Sequence, residues 1–165
     1  MKQPRGFQTV IVIWALLGPF AFASQDVNFT SSPLKGIKTL TVLVEKLSED
    51  ATKIGLTQGK IQTTAELILR REGMAIGNNI TDPCIYIKIT VIGSAYSIRA
   101  EIREGATLTR IPIFFSVTTW YAESTGTHGG NSSHIIVALQ ERLDGFVNDY
   151  YKANPKRSCS SQLWR

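Results

Sequence analysis

The chain has 165 residues, a formal net charge of +5 and 43% hydrophobic residues. That length and composition fit one globular domain with a core of its own, and so modest a charge gives no case for nucleic acid or a polybasic membrane contact. Two cysteines and two histidines without ligand spacing give no case for a metal site, and nothing calls for another cofactor.

Lys2 and Arg5 precede an uncharged apolar run from Val10 to Leu17, and Ala21-Phe22-Ala23 follows. Small residues at the −3 and −1 positions predict a secretory signal over 1–23, with the mature chain beginning at Ser24. The run is shorter than the ~20 apolar residues of a membrane span, so no span is expected after cleavage. Cleavage leaves 142 residues with a charge of +3. Residues 24–155 are expected to form a single domain and 156–165 a polar tail. The product is exported, periplasmic or secreted.

Ile37 to Val44 is β-rich and nearly all apolar in its second half, as in a buried strand. Glu45 to Gly55 is charged and predicts a loop or short turn. Thr57 caps a helix to about Glu72, whose inner stripe is Ile61, Ala65 and Ile68, and Gly73 stops it. Met74 to Ile76 reads as a short strand. Cys84 to Ile92 and Ser97 to Arg103 alternate, and Ile113 to Tyr121 is rich in β-branched and aromatic residues. These three predict an antiparallel meander. Gly105 and Pro112 place a loop or edge irregularity over 104–111, and Glu123 to Gly130 is a glycine-bearing connection. Asn131 or Ser132 caps a last helix with the stripe Ile136, Leu139, Leu143, Phe146 and Tyr150. Gly145 within it costs about 1 kcal/mol against alanine, which close packing on the sheet would explain. The order β-α-β-β-β-β-α predicts an α+β fold. Two helices pack on one face of a mostly antiparallel four- to five-stranded sheet.

The other face would carry Tyr86, Lys88, Thr90, Arg99, Glu101 and Arg103, a mixture consistent with water on that side. Tyr86, Arg99 and Arg103 form a candidate ligand site there. Tyr151 falls off the last helix's apolar stripe and is a candidate surface contact. Cys84 and Cys159 either pair as a disulfide, pinning the tail to the sheet, or stand as two free thiols. His128, within Thr127-His-Gly-Gly130, and His134, in the first turn of the last helix, are the candidates for a small exported hydrolase. No spacing supplies the positioned partner and orienting group that a catalytic histidine needs. A glycine-loop residue and a solvent-facing helix residue account for them instead.

Three segments carry a resemblance: Leu34-Lys-Gly-Ile-Lys-Thr-Leu40, Thr63-Thr-Ala-Glu-Leu-Ile-Leu-Arg-Arg-Glu-Gly73 and Asp144-Gly-Phe-Val-Asn-Asp-Tyr-Tyr-Lys-Ala-Asn-Pro155. With the strands between them, they resemble a group of small exported bacterial proteins of unassigned role. At fold level the order is similar to envelope domains such as the TolB amino-terminal domain and the lipopolysaccharide-assembly lipoprotein. No cysteine follows the apolar run, so the chain departs from the latter in having no lipid-anchor residue there. The resemblance implies a periplasmic, non-enzymatic module that binds an envelope protein or surface component, and it brings no catalytic residues.

Overall fold

The computed structural model describes residues 32–79 and 81–155. The expected signal over 1–23 with its mature start at Ser24, and the tail over 156–165 with Cys159, lie outside the described residues. Within them run β1 (Thr39–Val44), α1 (Glu49–Lys53), α2 (Gln58–Arg71), β2 (Ala75–Ile76), β3 (Cys84–Ile92), β4 (Ala95–Leu108), β5 (Ile111–Thr127) and α3 (Ser132–Ala153).

The sheet order is β2-β1-β3-β4-β5. β1 runs parallel to β2 and to β3, while β3, β4 and β5 form an antiparallel meander. Helix α2 is therefore the crossover that two parallel neighbours require. The fold is α+β with a mostly antiparallel five-stranded sheet, as the order of elements predicted.

Local chemistry sets the helix ends. The Thr57 side chain accepts from the Lys60 backbone N–H, and Asn131 accepts from that of Ser133. Each satisfies a donor that the first turn leaves unpaired. Leu40 and Val42, Ile85 to Val91 in alternate steps, and Ile98, Ala100 and Ile102 point to one face and are buried. Ile61, Ala65, Ile68 and Leu69 of α2 and Ile135, Leu139, Leu143 and Phe146 of α3 cover them. Removing this apolar area from water is the main stabilising term.

Three segments differ from the expectation. Residues 49–53 form a one-turn helix rather than a loop, because Ser48 caps it and Ala51 and Leu56 insert into the core despite their charged surroundings. The region over 104–111 is mostly strand: β4 continues to Leu108 and β5 starts at Ile111, with register shifts between Ile102 and Arg103 and between Thr107 and Leu108. Gly105 does not break β4, since the ring of Phe114 lies across it and fills the space of its missing side chain. The connection after Tyr121 is also shorter than expected, because β5 keeps pairing with β4 as far as Thr127.

Gly145 does not serve close packing. A Cβ built there meets nothing within 4 Å, and its φ is not in the left-handed region. Gly145→Ala is therefore expected to stabilise the protein by roughly 0.5–1 kcal/mol, through helix propensity and a less disordered unfolded chain. Urea denaturation measures it, and a destabilised variant would refute the absence of a packing role.

The end of α3 is tied to the lead-in of β1. Asn154 accepts from the Gly36 N–H at 2.8 Å and donates to the Leu34 carbonyl at 2.8 Å. The Tyr150 hydroxyl donates to the Ile37 carbonyl at 2.9 Å.

Candidate functional site on the open face of the sheet

The face of the sheet turned away from the helices is built by alternate residues of each strand. Register places Leu43 beside Tyr86, Tyr86 opposite Glu101, and Glu101 opposite Tyr121. In the neighbouring rows Lys88 faces Arg99 and Arg99 faces Glu123, while Cys84 faces Arg103. The alternation of β3 and β4 thus brings Tyr86, Arg99 and Arg103 onto one surface, as the sequence suggested.

These side chains form a connected charge lattice. Arg99 donates to Glu101 at 2.8 Å and to Glu123 at 2.6 Å, and Arg103 donates to the other oxygen of Glu101. Lys88 meets Glu45 at 3.4 Å. The Arg103 guanidinium lies 3.6 Å from the centroid of the Tyr86 ring, and that of Arg99 lies 4.9 Å from the Tyr121 centroid. Glu101 departs from the expectation of water on this side: it is 4% exposed, lying beneath the two arginines it binds. Burial pushes its carboxyl up, but the two guanidinium contacts outweigh that, and it stays below the usual carboxylate range.

At the Cys84 end of this face lies a pocket of about 560 Å³. Its wall includes Leu43, Cys84, Tyr86, Arg103, Gly105 and Phe114, together with Asp82 and Glu104. Phe114 is 76% exposed and held in place over Gly105, where a Cβ would lie only 2.1 Å from its ring. Arg103 is fixed between Tyr86 and Glu101 rather than free in water. The pocket therefore offers aromatic and aliphatic surface beside one oriented cation, with two carboxylates nearby. That composition suits an amphipathic ligand or side chain, held by packing and oriented by a few polar groups.

Burial pushes the Cys84 thiol up, Arg103 opposing it and Glu101 adding to it, so the thiol is protonated at neutral pH and a poor nucleophile. Cys84 is a half-buried free thiol here; the Cys84–Cys159 pairing lies outside the described residues. His128 is buried with both ring nitrogens taken by backbone: Nδ1 accepts from the Gly130 N–H at 3.0 Å, which leaves Nε2 to donate to the Gly93 carbonyl at 2.9 Å. It ties the turn after β3 to the loop before α3. His134 is exposed on α3. Among the described residues, no group of three His, Cys, Asp or Glu side chains is placed to hold a metal ion.

Tyr151 is not brought to the other candidate residues. It is half-buried on the helix side, where its hydroxyl donates to the Glu72 carbonyl and its ring packs edge-on against Tyr150 at 5.7 Å. Phe114 escaped the sequence reading, and Glu101 was read only as part of the wet face. Phe114 joins the site through its contact with Gly105 across the β4–β5 pair. Glu101 becomes the centre of the lattice through the Arg-x-Glu-x-Arg spacing of 99–103, a pattern visible in the sequence as three charges on one strand face.

No family model and no curated protein matches this sequence. Among solved structures, the minor lipoprotein from Acinetobacter baumannii is 12% identical, with 72% of this chain and 90% of that chain covered and a TM-score of 0.29. The rare lipoprotein B from Shewanella oneidensis is 10% identical, with 70% and 92% covered and a TM-score of 0.24. An uncharacterized protein is 10% identical, with 74% and 92% covered and a TM-score of 0.30. The solved structures that this chain resembles thus include two lipoproteins, the class its fold-level resemblance had named, and at such scores the likeness says nothing of what the chain binds.

Proposed function

We propose that this chain is an exported, non-catalytic binding domain of the bacterial envelope, and that it receives its partner in the pocket on the open sheet face. The observation that carries this reading is the fixed Arg103–Tyr86 pair beside Phe114 in the wall of a roughly 560 Å³ pocket. A cation held by a buried carboxylate loses little freedom when a ligand arrives, so binding energy is not spent on ordering it. Export is supported by the charged, apolar and small-residue pattern of residues 1–23. A binding rather than catalytic role is supported by the protonated Cys84 thiol and the backbone-locked His128.

The test is a thermal-shift screen of small amphipathic compounds, with titration calorimetry on the hits, alongside a pull-down from envelope extract. Both compare the wild type with Phe114→Ala. Phe114 is exposed and outside the buried core, so its loss should loosen the β4–β5 pairing at Gly105 but leave the core folded, which circular dichroism checks, while weakening pocket binding by roughly tenfold, the expected effect of truncating one aromatic anchor. Binding that is equal in both proteins, or absent from the wild type at micromolar concentration, overturns the assignment. A turnover activity abolished in a folded His128→Ala/His134→Ala variant would establish the hydrolase alternative.

A further inference from the structure

We propose that the distal part of the β4–β5 hairpin docks the domain on an anionic phospholipid surface. β3 begins at Cys84, whose partner is Arg103, so the strands beyond that pair have no third neighbour. Residues 104–108 and 111–117 form a two-stranded ribbon that projects roughly 17 Å from the sheet, at the usual rise of a strand. Leu108, Ile111, Ile113 and Phe114 are all exposed on it. Ile113 and Phe114 are consecutive in β5 and so project to opposite faces, yet both are more than half exposed.

Apolar surface on both sides of a narrow ribbon decides between occupants. A folded protein partner, or a second copy, packed flat on one face of the sheet covers one side of such a ribbon and leaves the other wet. The interfacial layer of a bilayer surrounds the tip on both sides. Charge agrees with this. The ribbon holds two charged residues: Glu104 at its base, which accepts from the Thr119 hydroxyl at 2.9 Å, and Arg110 in the turn at its far end, which makes no ion pair among the described residues. An arginine at the tip of an apolar ribbon matches phosphate oxygens of the headgroups, while its neighbours reach the acyl boundary. The edge of β5 keeps unpaired backbone groups, which cannot enter hydrocarbon. The contact is therefore shallow, with side chains inserted by roughly 5–10 Å. Phe114 also belongs to the pocket wall, but Arg110, Ile111 and Ile113 do not, so variants at those three positions test this inference separately from the pocket reading.

The experiment is co-sedimentation of the purified protein with vesicles of phosphatidylcholine alone and of phosphatidylcholine mixed with phosphatidylglycerol. Intact mass first shows that the signal is absent from the sample. The wild type should bind the mixed vesicles about fivefold more tightly, the effect of one cation near an anionic surface. Ile111→Ser/Ile113→Ser should lower binding to both kinds by roughly tenfold or more. Arg110→Glu, which leaves the apolar side chains in place, should remove the preference for the anionic vesicles. Circular dichroism verifies each fold, and Arg110→Glu keeps the test decisive if the double variant misfolds. Wild-type protein left in the supernatant, or variants that bind like the wild type, overturn the proposal. So does a dimer in light scattering that the double variant abolishes, which would make the ribbon a contact between copies.

Discussion

Phe146→Ala should cost about 4 kcal/mol, the largest loss expected from any one truncation considered for this fold. The ring is fully buried under the sheet, set edge-on to Trp120 at 5.1 Å and tilted against Tyr150 at 6.3 Å. Alanine removes the transfer energy of the ring and leaves a hole between α3 and β5 that two large neighbours cannot close without leaving their own contacts. Trp120 also donates to Asp149 at 3.2 Å, which restrains it from swinging inward. The midpoint should fall by ~12–20 °C. Urea denaturation followed by tryptophan fluorescence measures the loss, and one under about 1 kcal/mol would show that Phe146 is not central to the core.

Glu101→Ala should be the next most damaging change considered, at about 2 kcal/mol. Breaking a fully buried ion pair costs about 3–5 kcal/mol, but Arg99 and Arg103 have side chains 42% and 40% exposed, and water takes up part of the released charge. The same carboxylate sets a pH dependence. Its pKa is lowered on folding, so its contribution is complete above the ordinary glutamate value of about 4.3 and is lost as pH falls through the lower folded value. Asp149, lowered by hydrogen bonds from Lys152 and Trp120, adds loss in the same direction. Glu101→Gln should flatten the fall of stability below about pH 5. An unchanged acid slope would show that Glu101 does not supply it. The substitution should also free Arg103 from its place over Tyr86, so pocket affinity should fall in a protein that remains folded at neutral pH.

The strands and the two long helices could be read from the sequence because their signals are periodic and local. Ile85 to Val91 alternates and Ile61 to Leu69 repeats at helical spacing, and both stripes are buried. The placement of Tyr86, Arg99 and Arg103 on one face followed from that alternation plus the meander. The pocket did not, because it depends on contacts between residues on separate strands. Gly105 carries the ordinary sign of a break, and only the ring of Phe114 across the pair explains why the strand continues. Tyr151 was misleading for a similar reason. Its position off the apolar stripe suggested solvent, but α2 ends alongside and offers the Glu72 carbonyl to its hydroxyl. Charge alone did not reveal that Glu101 is buried, since a carboxylate between two arginines can lie beneath them without losing its ionisation.

The clasp that Asn154 makes with Leu34 and Gly36 has a mechanical consequence. A force that separates the two ends of the described domain would act on these side-chain hydrogen bonds before it loads any strand ladder. Such contacts open one after another, so the first event under tension would be detachment of the last turn of α3. The meander, whose long pairings are farther along the load path, would be the last part to give way.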